Sequence, residues 1–291
     1  MPPRRLRLDA ELVRRGLARS REHASELIAA GRVKVQGAVA SKPATGVTTD
    51  VALVVADDPD RPDYVSRGGH KLAGALAAFE PLGLQVEGRR CLDAGASTGG
   101  FTDVLLRHGA AQVVAVDVGY GQLAWRIQQD ERVLVHDRTN VRDLSVDLIG
   151  GSVDLVVGDL SFISLEIVLD ALLGVTAEDG DLALMVKPQF EVGKDRVGKG
   201  GVVRDLGLRH EAVLGVAEAA GRRGWGARAV VTSPLPGPSG NVEFFLWLRR
   251  GPATIGSEEI RAEVERGPAA EAHPTAGRTE APSAPGERVE P

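Results

Sequence analysis

One cysteine in 291 residues removes several classes of protein at once. Cys91 alone can close no internal disulfide and build no thiolate metal cluster, and its place at the head of an apolar run marks it as inert packing. Long apolar runs are missing as well: none approaches the roughly 18 residues that a membrane-spanning helix needs. The opening MPPRRLRLDAELVRRG is basic but lacks the apolar stretch of a secretory signal. No stable membrane insertion is therefore expected, and the cytoplasm is the expected compartment. Internal repeats are absent. So are the G-x-G-x-x-G of dinucleotide binders and the Gly-Lys-Ser/Thr of a phosphate loop.

The charge that is present is unevenly spread. Residues 1–50 hold ten Lys/Arg against five Asp/Glu, whereas the whole chain carries a net −5. A basic head on an acidic body points to a polyanionic partner for the head. Within the head, Asp9 is placed to cap a helix over AELVRRGLA and Ser20 a second over REHASELIAAG, with His23, Leu27 and Ile28 facing inward and Gly31 as the stop. The strand-like RVKVQGAVA and VALVV follow. The pattern predicts a small α+β domain over residues 1–59, a linker over 60–66 within the proline- and charge-rich DDPDRPDYVS, a larger domain over 67–250, and a disordered acidic, proline-rich tail over 251–291.

From Tyr64 onward strands and helices alternate. RRCLDAG, QVVAVDV, RVLVHD, VDLVVGDL, DLALMVKP, ARAVVTSPL and NVEFFLWLRR read as strands, with amphipathic segments such as GGFTDVLLRHG, QLAWRIQQD and LEIVLDALLG between them. Such alternation predicts an α/β fold whose parallel sheet is covered on both faces. The last two strands are joined by PGPSG without a helix, so the seventh should run antiparallel beside the sixth. That seven-stranded, mostly parallel, doubly wound sheet with a terminal hairpin is the class I, Rossmann-like architecture of methyltransferases rather than of dehydrogenases.

Ligands of open α/β sheets sit beyond the carboxyl ends of strands. The loop in CLDAGASTGGF lies there, which makes Asp93, Gly95, Ser97, Thr98, Gly99, Gly100 and Phe101 candidate cofactor residues. Asp117 ends the second strand and is placed to accept hydrogen bonds from ribose hydroxyls, and Asp137 after the third strand joins the candidate set. A ribose- and adenine-bearing ligand without phosphate fits this loop, which makes S-adenosyl-L-methionine the expected cofactor; NAD would require the pyrophosphate loop that is missing. No metal site is expected.

Four polar residues stand where such a cofactor would react. The fourth strand ends in Asp159-Leu-Ser-Phe rather than the Asn/Asp-Pro-Pro-Tyr/Phe that grips a flat base, which argues against base methylation. The fifth strand ends in Lys187, the seventh begins at Glu243, and Lys71 lies on an amphipathic helix in SRGGHKLAGAL. Two lysines and two carboxylates can act on an alcohol, which is a poor nucleophile until its proton is removed and the geometry is in line. A lysine serves as that base only when its pKa falls from a reference of about 10.4.

The motifs RLDAELVRRGLARSREHASELIAAGRVKV, KPAT, YVSRGGHKL, LDAGASTGGFTD, DRTNVRDL, DLSFISL, VKPQFE and GNVEFF together resemble the TlyA family, ribosomal RNA 2′-O-methyltransferases also called hemolysins, over roughly residues 4–250. The head resembles the RNA-binding domain first described in small-subunit ribosomal protein four, and the body resembles the FtsJ ribose methyltransferases. The resemblance implies a Lys-Asp-Lys-Glu tetrad at Lys71, Asp159, Lys187 and Glu243. It also implies S-adenosylmethionine as donor, and cytidine 2′-hydroxyls of 16S and 23S ribosomal RNA as acceptors, with no DNA partner. Arg4, Arg7, Arg19, Arg21 and Lys42 are then the expected phosphate contacts, in keeping with recognition of folded RNA by shape and backbone and with an aromatic content of only 4%. Two rivals stand against this reading, a membrane-lytic protein and a non-catalytic RNA-binding module.

Overall fold

The structure is a computed structural model that describes residues 5–18, 20–56, 62–237 and 239–267. In the head, β1 (Leu6–Arg7) leads directly into α1 (Leu8–Arg14). Arg7 is the N-cap of that helix, so the expectation for Asp9 is corrected. Its carboxylate lies inside the first turn, buried, where it accepts hydrogen bonds from Arg7 and Arg21. Ser20 does cap α2 (Arg21–Ala29), accepting from the His23 backbone N–H at 3.1 Å. A Gln36-Gly37 turn with both residues at positive φ joins β2 (Val33–Val35) to β3 (Ala38–Val39), the conformation that fits tight hairpins. β4 (Gly46–Val47) pairs with β1, and β5 (Leu53–Val55) with β2. Leu8, Leu12, Leu27, Ile28, Val33 and Val47 form the head's core.

The body begins before its first helix. Tyr64 and Val65, placed in the linker by sequence, pack into the body's core, and the Val65 N–H donates to Asp103. Then follow α3 (Arg67–Phe79), β6 (Arg90–Ala94), α4 (Gly100–Arg107), β7 (Gln112–Val116), α5 (Trp125–Gln128), β8 (Val133–His136) and α6 (Val146–Ile149). The second half is β9 (Val153–Gly158), α7 (Leu165–Val175), β10 (Thr176–Val186), α8 (Pro188–Glu191), α9 (Leu206–Gly221), β11 (Trp225–Thr232), β12 (Phe244–Arg250) and α10 (Ser257–Arg266). Helix α5 is shorter than its apolar spacing predicts: Ala124 is non-helical (φ −57°, ψ 137°), with its N–H donating to the Thr98 carbonyl of the glycine loop, so the helix starts at Trp125.

The sheet order is β11-β12-β10-β9-β6-β7-β8, parallel except that β12 runs antiparallel to both β10 and β11. The chain winds outward from β6 through β7 and β8, then returns to β6's other side as β9. The loops after β6 and β9 therefore part, and a crevice opens between them. Both faces of the sheet are buried with a two-residue period. Leu182, Leu184, Val186, Phe244, Leu246 and Leu248 pack on one side. Ala183, Met185, Phe245 and Trp247 pack on the other, beneath α3 and α4. Cys91 is fully buried there, and burial pushes its thiol up to about 12.

The tail is not irregular throughout. Residues 257–266, inside the segment expected to be disordered, form α10: Ile260 and Val264 are buried in the body's core, and Glu263 accepts the Thr232 N–H at 2.7 Å. Two apolar contacts and one buried hydrogen bond at helical spacing outweigh the acidic composition on which the expectation rested.

Candidate active site

Period-two alternation places the polar residues. Asp159 lies two residues beyond Val157, Lys187 two beyond Met185, and Glu243 two before Phe245; Val157, Met185 and Phe245 all belong to the core layer under α3. Pro188 opens α8 and biases the residue before it toward extended backbone, so Lys187 continues the strand (φ −112°, ψ 101°). All three side chains thus come to the face covered by α3, which carries Lys71.

The four meet as two ion pairs. Lys71 Nζ lies 2.5 Å from Glu243 Oε2, both buried. Lys187 Nζ lies 2.5 Å from Asp159 Oδ1 and donates to Ser161 Oγ at 3.0 Å. Lys71, Asp159 and Lys187 border one cavity of about 350 Å³, together with Gly95, Ala96, Ser97, Thr98, Gly100 and Phe101 of the glycine loop. A second cavity of about 530 Å³ shares Gly95, Ser97, Asp159 and Ser161 with it and continues past Asp117, Val118, Asn140 and Leu160. A third, of about 820 Å³, adjoins Lys187 and Ser161 and is walled by Phe162, Ile163, Ile167, Phe190 and Glu243.

Two of the loop glycines also have a packing task. A Cβ on Gly95 would come within 2.9 Å of the Asp159 carbonyl, and one on Gly99 within 2.9 Å of Leu123; both residues also sit at positive φ. These positions therefore let loops pack against each other, and Gly95 also borders the first two cavities. Gly99, Asp93 and Asp137 border neither of the first two cavities. Asp93 lies under the loop, fully buried, with Oδ2 accepting from Thr102 Oγ1 at 2.7 Å and Oδ1 without a partner. Burial lifts it to about 7, the Thr102 hydrogen bonds opposing and the Asp159 and Asp117 charges adding to the rise. Asp117 accepts the Ser97 and Gly119 N–H groups at 2.8 and 2.7 Å, and Asp137 accepts that of Gly121 at 2.9 Å. Each carboxylate oxygen keeps a second lone pair for a ligand.

The donor set suits S-adenosylmethionine. One carboxylate, Asp159, and the hydroxyls of Ser66, Ser97, Thr98 and Ser161 border the first cavity beside Arg67, Lys71 and Lys187, where an amino-acid end would lie. In the second, Asp117 faces a wall of Val118, Leu160, Ile163 and Val168, a carboxylate for ribose beside an apolar slot for adenine.

Comparison with known proteins identifies the family. A family profile for FtsJ-like methyltransferases matches residues 64–250, and one for S4 domains matches residues 6–51. Over 270 residues the chain is 59% identical to the 16S/23S rRNA (cytidine-2′-O)-methyltransferase TlyA of Mycobacterium tuberculosis, covering 91% of this chain and 99% of that one. The chain belongs to the TlyA family of FtsJ-like methyltransferases. Hemolysin A of Brachyspira hyodysenteriae is 36% identical, with 82% of this chain and 98% of that one covered. A solved structure from Streptococcus thermophilus, classed with the hemolysins, superposes with a TM-score of 0.67 at 35% identity over 90% of this chain and 95% of that one. Among the described residues no helix is long and apolar enough to cross a membrane.

In this family member the S4 head brings two of its expected RNA contacts together. Arg7 and Arg21 converge on Asp9 Oδ2 at 2.9 and 3.0 Å, more than half of each side chain remaining exposed. Lys42 is exposed as well; Arg4 and Arg19 lie outside the described residues. Arg7 and Arg21 hydrogen bonds hold Asp9 down at about 2, against the cost of its burial. Sequence reasoning missed Ser161, Phe162 and Asn140, although they stand in the DLSFISL and DRTNVRDL motifs. Phe162 is 91% exposed and held at φ 64°, which for a bulky residue is strained, with its ring 5.3 Å from that of Phe190.

Proposed function

We propose that this chain transfers a methyl group from S-adenosylmethionine to the 2′-hydroxyl of cytidine in ribosomal RNA, in one or both subunits, with Lys187 as proton acceptor. The observation that carries the reading is the pairing of Lys187 with Asp159 at 2.5 Å on the wall common to the glycine-loop cavity and the apolar third cavity. The identity with the Mycobacterium tuberculosis enzyme supports the acceptor.

The residues that border the first two cavities would hold S-adenosylmethionine, which would supply an electrophilic methyl group on a positively charged sulfur. The acceptor ribose enters from the third cavity, and Phe162, exposed at its rim, offers a ring on which a base unstacked from RNA can rest. Lys187 Nζ takes the 2′-hydroxyl proton as the O–C bond forms and the S–C bond breaks; the thioether leaves neutral and the proton stays on the amine. Asp159 orients that amine and offsets the charge it gains. Lys71, anchored by Glu243, flanks the other side. In the head, Arg7, Arg21, Lys42 and, beyond the described residues, Arg4 and Arg19 hold phosphates and so set which ribose arrives.

The test incubates unmodified ribosomal subunits with methyl-labelled donor and parent or Lys187→Ala protein, then digests the RNA to nucleosides. The expected product is 2′-O-methylcytidine from the parent alone. Label on a base, or equal labelling by Lys187→Ala, refutes the assignment.

A further inference from the structure

Among the described residues, Ser161 is the single residue that borders all three cavities. It is also the one hydroxyl that hydrogen-bonds a member of the tetrad, accepting from Lys187 Nζ at 3.0 Å. Its neighbours on either side do other things. Asp159 pairs with the same amine, and Phe162 turns outward at φ 64°.

An amine that takes a proton has two N–H bonds and one lone pair in a tetrahedral arrangement. The Cε–Nζ bond fixes one of the four directions about the nitrogen, and the Asp159 carboxylate, 2.5 Å away as an ion pair, draws one N–H toward it. The second N–H and the lone pair can still exchange the two directions left. A second acceptor settles which of them the N–H takes. From Ser161, on the junction where the cavities meet, the remaining direction of Nζ is fixed relative to the space that donor and acceptor share. We propose that Ser161 is a positioning residue for methyl transfer: it accepts from Lys187 so that the lone pair of that amine faces the incoming hydroxyl. The inference rests on the assignment of Lys187 as proton acceptor. A serine hydroxyl suits the task better than a second carboxylate, because it accepts without adding a negative charge that would hold the proton on the amine.

A positioning role for Ser161 separates chemistry from binding. Ser161→Ala removes the second acceptor and leaves the Lys187–Asp159 pair and the glycine loop in place. It is expected to lower kcat about tenfold, the equivalent of one hydrogen bond of orientation, with the KM for donor and the calorimetric affinity for S-adenosylhomocysteine within twofold of the parent. Ser161→Thr keeps the hydroxyl and is expected to recover most of kcat. A second measurement needs no turnover: acetylation of Lys187 by acetic anhydride, read by peptide mass spectrometry against Lys71 in the same sample. Release of the restraint is expected to raise the Lys187 rate severalfold in Ser161→Ala and not in Ser161→Thr.

Parental kcat and parental Lys187 labelling in Ser161→Ala overturn the proposal. Equal loss in the alanine and threonine variants also overturns it, since shape rather than the hydroxyl would then matter. The Lys187→Ala control separates the two levels. A dead Lys187→Ala with a parental Ser161→Ala sinks the role of Ser161 only, whereas an active Lys187→Ala sinks the assignment beneath it.

Discussion

The Lys71–Glu243 pair allows stability and catalysis to be pulled apart. Glu243 is 1% exposed at its side chain and Lys71 8%, at a separation of 2.5 Å. Removing one partner of a buried pair leaves the other charge unpaired, which costs about 3–5 kcal/mol. Lys71→Met keeps the length of the side chain and strands the Glu243 carboxylate. With a urea dependence of about 3 kcal/mol per molar for a domain of this size, the unfolding midpoint should fall by about 1–1.7 M. Trp125, Trp225 and Trp247 all lie in the body, so tryptophan fluorescence reports its unfolding alone. Lys71→Met with Glu243→Met replaces both charges with apolar groups of similar length, and its unfolding free energy should return to within about 1 kcal/mol of the parent or exceed it. Neither variant should methylate ribosomal RNA. A parental midpoint in Lys71→Met, or a double variant as unstable as the two single ones combined, refutes the buried-pair reasoning. Restored activity in the double variant refutes the place of Lys71 in the tetrad.

Asp93, raised to about 7 by burial, makes a second expectation. Its contribution is fully present below the unfolded value near 4 and is lost as pH rises to about 7, up to about 4 kcal/mol in all; Asp93→Asn should remove that slope from urea midpoints taken at pH 5 to 8. Arg19→Glu with Arg21→Glu should weaken RNA binding at least tenfold and leave calorimetric S-adenosylhomocysteine affinity unchanged, and equal loss of both would contradict the division of labour between head and body. Ile260, fully buried under α10, should cost about 2–4 kcal/mol when cut to alanine, as read in the same fluorescence melt. Glu191, pushed up by burial, accepts from Ser164 Oγ at 2.6 Å and the Leu165 N–H at 2.9 Å, tying the loop after β10 to the one after β9. Glu191→Ala should therefore lower kcat severalfold and Glu191→Gln less, with donor affinity unchanged in titration.

Much of the site was legible because strands impose parity. Once VDLVVGDL, DLALMVKP and NVEFFLWLRR are read as strands, Asp159, Lys187 and Glu243 fall on one face by counting in twos. Sheet order then brings the ends of β9, β10 and β12 side by side. Helix content was harder where long-range contacts decide it. QLAWRIQQD carries helical spacing, yet its first half is held by the Thr98 carbonyl, and SEEIRAEVER carries an acidic composition, yet docks through Ile260 and Val264. Asp9 shows the same limit at one residue. As a local signal it reads as a cap, whereas Arg21, twelve residues on, turns it into a clamp. Ser161 gave no signal in isolation, since a serine after a strand is ordinary until the lysine that points at it is located.

The two lysines are not equivalent, and the difference argues for their roles. Lys71 borders only the glycine-loop cavity, and its carboxylate partner, which walls the third cavity, is only 1% exposed. That partner cannot follow a proton without leaving a buried charge behind, so the pair is suited to standing still. Lys187 borders both that cavity and the acceptor side, and its partner Asp159 keeps 26% of its side chain open. An amine there can gain a proton from the acceptor and lose it to water after product leaves, while its carboxylate adjusts through solvent. A fixed pair beside a pair that can exchange protons fits the methyl transfer proposed above. On that proposal the first pair would hold the reactants in line and the second would reset the site for the next turn.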